Sequence, residues 1–159
     1  MKSKTFVLGA VTLAFGMLSF SAASQTRYFS FVTPNSPNSS GPGPRSTFGP
    51  HEFVFATSNQ VLIERIRAII NSNDQGRDVH IMGKVVRGRV EYNEEYPFYL
   101  DEKSIQLFSN TTEQCSATAF EVEEHIEKVG VPDAGFLQDG IWCPWDSRLV
   151  REIDRRSVN

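Results

Sequence analysis

Two cysteines behind an export-type leader constrain this chain more than any other feature. Lys2 and Lys4 make a short positive start, residues 5–20 run apolar and uncharged, and Ser21, Ala22 and Ala23 supply small residues for cleavage. Residues 1–23 are therefore expected to be a cleaved signal peptide, cut most simply after Ala23. The apolar run of about 16 residues is shorter than the roughly 20 that cross a bilayer, so no stable membrane anchor is expected. The remainder, 24–159, is expected to be a single secreted domain, extracellular, or periplasmic in a Gram-negative host. An exported chain meets an oxidising compartment, where the even pair Cys115 and Cys143 reads as a disulfide. Closing that loop would add about 3 to 4 kcal/mol by chain entropy. With no C-x-x-C pair and no clustered histidines, the pair does not read as a redox or zinc site.

Charge narrows the partners. The chain has 16 Lys and Arg against 19 Asp and Glu. Losing Lys2 and Lys4 with the leader makes the balance more acidic. Nucleic acid and anionic membrane both want a basic face, so neither is expected as a partner.

Residues 28–33 (YFSFVT) and 51–56 (HEFVFA) are aromatic and β-branched and predict strands. Between them, 34–46 is rich in Pro, Gly and Ser and predicts a surface loop. Thr57 or Ser58 is placed to cap a helix, and Thr57 with Gln60 has capping-box spacing. Val61, Leu62, Ile63, Ile66, Ile69 and Ile70 give that helix a broad apolar face, ending near residues 71–74. Residues 78–90 predict a long strand, with Gly83 and Gly88 marking bulges or a bend. Residues 91–97 form an acidic, tyrosine-bearing connection. Residues 98–109 predict two short strands with a turn at 101–103. Thr118 with Glu121 fits a second capping box, and Ala119, Val122, Ile126 and Val129 form a helical stripe ending at Gly130 and Pro132. Leu149, Val150 and Ile153 fit a helix slightly better than a strand, and both remain open. The expected fold is α+β: a single antiparallel curved sheet with two helices packed on it and one disulfide.

A set of short motifs carries a family resemblance: His80-Ile81-Met82-Gly83-Lys84-Val85-Val86; Tyr92-Asn93 ahead of Phe98-Tyr99-Leu100-Asp101; Ser104-Ile105; Cys115; and Val122-Glu123-Glu124-His125. The most specific is Trp142-Cys143-Pro144-Trp145, continuing into Ser147-Arg148-Leu149-Val150-Arg151-Glu152. Over about residues 50–153 the chain resembles the N-terminal domain of calmodulin-binding-protein-type secreted proteins. The resemblance implies a compact α+β domain with its two cysteines paired, and names no catalytic residue. Calmodulin itself is not expected as a partner. Its targets are usually basic amphipathic helices, whereas the helix after Asn59 is near neutral and the one after Thr118 is acidic.

Catalytic parts are sparse. No G-x-S-x-G elbow frames a serine near His51, His80 or His125. Residues 133–140 lack calcium-loop spacing, and the sequence calls for no metal and no cofactor. Asn38 and Asn110 begin glycosylation sequons that matter only in a eukaryotic host. Candidate binding residues are Glu91, Tyr92, Glu95, Tyr96 and Tyr99 in the acidic connection, with Trp142 and Trp145 beside the cysteine. Tyrosine gives contact area at low entropy cost, and tryptophan suits a sugar platform or a core. The expected function is a secreted, disulfide-stapled interaction domain that binds an extracellular protein or glycan, with no catalytic residue assigned. Two alternatives stay open: a small secreted hydrolase using carboxylates of the acidic loop, and a secreted effector or toxin.

Overall fold

The computed structural model describes residues 25–33, 52–72, 78–110 and 114–154; the expected leader at 1–23, the loop at 34–46 and His51 lie outside them. In chain order the elements are β1 (Arg27–Val32), β2 (Phe53–Thr57), α1 (Gln60–Asn71), β3 (His80–Arg87), a 3-10 turn (Glu91–Asn93), β4 (Phe98–Leu100), β5 (Gln106–Phe108), α2 (Ala119–Glu124), β6 (Ile141–Trp142) and β7 (Arg148–Ile153).

They build two antiparallel sheets. The first has the order β2-β1-β7, with Phe29 opposite Phe55 and Phe31 opposite Phe53. The second is organised by β3, which changes partner along its length. His80–Met82 pairs with β5, Gly83 and Lys84 with β6, and Val85–Arg87 with β4. Gly83 packs rather than bulges: a Cβ there would stand 3.0 Å from Ile105 Cδ1 and 3.3 Å from Leu100 Cδ1. The core joins both sheets. Trp142, with no exposed surface, has its ring centroid 5.1 Å from Phe53, 5.4 Å from Phe31 and 5.7 Å from Phe98.

The α+β expectation of one curved sheet with two packed helices is overturned. The protein is mostly β, with two sheets of three and four strands and one helix longer than six residues among the described residues. Two contacts between residues distant in sequence explain part of the difference, at α2 and at 148–153.

The stripe Ala119, Val122, Ile126 and Val129 is buried or partly buried, but α2 stops at Glu124. Beyond it, the Arg87 guanidinium takes the carbonyls of Ile126, Glu127 and Val129 at 2.9, 2.9 and 3.1 Å. A carbonyl held by a side chain from β3 satisfies the backbone without a helical partner.

Segment 148–153 is a strand. Its buried residues, Leu149 and Ile153, are four apart, a spacing that suits both periods. The pairing decides it: Ser30 faces Arg151 and Phe31 faces Leu149, so Val150 is an extra residue in a β-bulge.

The α1 cap is Asn59, whose Oδ1 accepts from Leu62 N at 3.2 Å. Thr57 is the buried end of β2, and its hydroxyl accepts from Asn59 N. Leu62, Ile63 and Ile66 form the buried face of α1, while Val61 is 77% exposed. The second capping box, Thr118 with Glu121, forms as expected.

Candidate functional site

The acidic connection exposes its carboxylates and buries or half-buries its other side chains. Asn93 sets the phase. Its Oδ1 accepts from Val54 N at 3.0 Å and its Nδ2 donates to Phe98 O at 3.1 Å, so one buried amide links β2 of the first sheet to β4 of the second. In the sequence Asn93 belongs to a family-like pair, and nothing local shows this task. Arg89 Nη1 donates to Glu94 O at 2.7 Å and holds the outer side of the turn.

With Asn93 inward, Tyr96 also goes inward. Its ring lies 5.0 Å from Phe53 and 5.7 Å from Phe98, and burial drives its phenol well above the ordinary tyrosine range. Glu91 and Glu95 are exposed. Tyr92 and Tyr99 are partly buried and stay at the surface. Tyr92 packs on Tyr28 of β1, with ring centroids 5.0 Å apart and planes tilted by 46°. Burial pushes the Tyr92 phenol up to about 12, and the nearby Tyr99, Tyr28 and Glu102 push the same way. Tyr28 of β1 and Tyr92 of the 3-10 turn thus pack ring against ring, with Tyr99 of β4 and Glu102 near enough to raise the Tyr92 phenol. Tyr28 and Glu102 carry no such signal in the sequence. Tyr28 sits 64 positions before Tyr92, and only the packing of the first sheet against the turn joins them.

The tryptophans separate. Trp142 closes the core and donates its indole N–H to Ala117 O at 2.8 Å. The disulfide Cys115–Cys143 forms beside it, with Cα atoms 5.2 Å apart and Cys143 N bonded to Cys115 O at 2.8 Å. Trp145 is partly exposed, 5.6 Å from Phe108 and 6.4 Å from His80. His80 Nδ1 lies 2.9 Å from the Ser147 carbonyl oxygen, and the Ser147 hydroxyl accepts from Ile81 N. His125 ends α2 against the ring of Phe136. Among the described residues no group of three or more His, Cys, Asp or Glu is placed to hold a metal, and no helix is long and apolar enough to cross a membrane.

Comparison with curated proteins and with solved structures gives no match. A family model does match, described as the BP-74 N-terminal domain, and it spans residues 45–156. The match concerns the domain and carries nothing about calmodulin. It takes in both sheets except β1, the disulfide and the tyrosine connection. With well over half of its length matched, the chain belongs to the BP-74 N-terminal domain family.

Proposed function

We propose that the chain is exported and acts outside the cytoplasm as a disulfide-stapled binding domain, with the Tyr28, Tyr92 and Tyr99 patch as its contact face for an extracellular protein. The observation that carries this reading is the Tyr28–Tyr92 ring contact between two separate elements, with Tyr99 of a third element nearby. Half-buried tyrosines held by a rigid scaffold offer large amphipathic area with little side-chain entropy left to lose. Glu102 near Tyr92, and the exposed Glu91 next to it in sequence, give the patch acidic neighbours, which suits a partner presenting Lys or Arg.

The test pairs release with capture. N-terminal sequencing of released protein should start at or near Ser24; material that still begins at Met1 would refute export. The released protein, immobilised, should capture a defined extracellular component that a Tyr92→Ser, Tyr99→Ser variant no longer retains. Equal capture by both would remove the patch from the function.

A further inference from the structure

The segment around Trp145 makes a recess on the disulfide side of the fold. It holds about 200 Å³ and is lined by Trp145 and Pro144, with Ser116, Thr118, Glu121 and Asp146 supplying polar groups. The volume lies below the usual range for drug-sized ligands, so it suits one ring or one side chain. The indole is already supported: the Phe108 ring lies 5.6 Å from it at an interplanar angle of 77°, and Trp145 N donates to Ser116 Oγ at 3.4 Å. The capping box fixes Glu121, whose Oε2 accepts from Thr118 N at 2.7 Å. The disulfide ties Cys115, next to Ser116, to Cys143, next to Pro144, and so sets the distance between the two walls.

We propose that this recess is a binding site for a single neutral pyranose, stacked on Trp145 and hydrogen-bonded by Glu121. A pyranose has an apolar face of C–H bonds and a rim of hydroxyls. It needs one aromatic surface and a few acceptors and hydroxyls placed around it, and the recess supplies both. A purely apolar ligand would strip water from the polar wall without replacing its hydrogen bonds. A phosphate, sulfate or acidic sugar would meet Glu121 and Asp146 as like charges. This site is separate from the tyrosine patch and does not depend on it.

Amide chemical-shift titration of the whole oxidised chain tests it, using the methyl glycosides of glucose, mannose, galactose and N-acetylglucosamine as probes. At least one should shift amides at Ser116–Glu121 and Trp145–Asp146, with a Kd of about 1 mM, as expected for so small a ligand. Trp145→Ala should weaken it by about tenfold or more. Glu121→Gln should weaken it several-fold while keeping the cap, because Gln serves at that capping position too. Val61→Ser, at an exposed position of α1 outside the recess, should leave the affinity unchanged. The proposal is overturned if no glycoside shifts these amides, if Trp145→Ala binds as well as the native chain, or if Val61→Ser weakens binding.

Discussion

The tyrosine connection at 91–99 and the tryptophan corner at 141–147 solve one problem by different means. Each carries aromatic rings close together in sequence and sends them in different directions. Tyr96 and Phe98 go into the core while Tyr92 and Tyr99 stay partly exposed; Trp142 goes in while Trp145 stays partly exposed. What differs is the fastening. The corner is held by a covalent bond, by Cys143 N on Cys115 O and by the Trp142 indole on Ala117 O. The connection is held chiefly by a single side-chain amide, that of Asn93. Aromatic density in a sequence therefore shows that a segment is important to the fold or the surface, and the anchored backbone beside each ring decides which.

The comparison is sharpest at the two tryptophans. Trp142→Ala should cost about 3 to 5 kcal/mol, because it opens a cavity among Phe31, Phe53 and Phe98 and leaves Ala117 O without its donor. Trp145→Ala should cost less than about 1 kcal/mol, as a partly exposed side chain. Urea midpoints at constant m measure both. Similar losses would mean that the inward and outward rings are not distinct. Next in size, Cys143→Ser should cost about 2 to 5 kcal/mol. Reduction of the native protein should reproduce that loss, and insensitivity to reductant would show that the corner is held by packing alone.

Asn93→Ala should follow, at about 1 to 3 kcal/mol, because Val54 N–H and Phe98 C=O would be left buried and unpaired. The same change should loosen the 3-10 turn that carries Tyr92, so capture by the tyrosine patch should weaken with it. Asn93→Asp keeps an acceptor for Val54 N–H but loses the donor to Phe98 O and buries a charge, so it should rescue neither effect. Full stability in Asn93→Ala would show that the connection has a fastening other than this amide.

Much of the fold was legible where the local signal and the tertiary outcome agree. The strands near 28–33, 51–56 and 98–109, the Thr118 and Glu121 capping box and the pairing of the cysteines all appear in the structure. What failed depended on distant partners. Nothing local shows that Arg87 will take the carbonyls after α2, or that 148–153 will pair with β1 as a strand bulged at Val150. The division into two sheets rests on β3 taking three partners in turn, a property of pairing and not of composition. In the candidate site, Tyr92 and Tyr99 were legible as aromatic residues in an acidic stretch. Tyr28, Glu102 and the role of Asn93 were not, because each acquires its meaning only through packing with a residue elsewhere.

The smallest expected effect lies at Tyr92 and tests whether the patch is as packed as it looks. Its phenol is pushed from the ordinary value of 10.0 up to about 12, chiefly by burial. In the unfolded chain the same group ionises near 10.0. The unfolded state therefore loses that proton first as pH rises. The contribution to stability is complete below pH 10.0 and is lost as pH climbs through about 12. Tyr92→Phe should change stability at neutral pH by less than about 1 kcal/mol while making the alkaline decline shallower. Tyr96, buried for its own reasons, should keep part of that decline in both proteins. Urea midpoints taken across the alkaline range, beside phenolate absorbance, read the difference directly. If Tyr92→Phe follows the native pH profile, the Tyr92 ring is solvated, the contact with Tyr28 does not hold it, and the tyrosine patch loses the rigidity on which its proposed binding role rests.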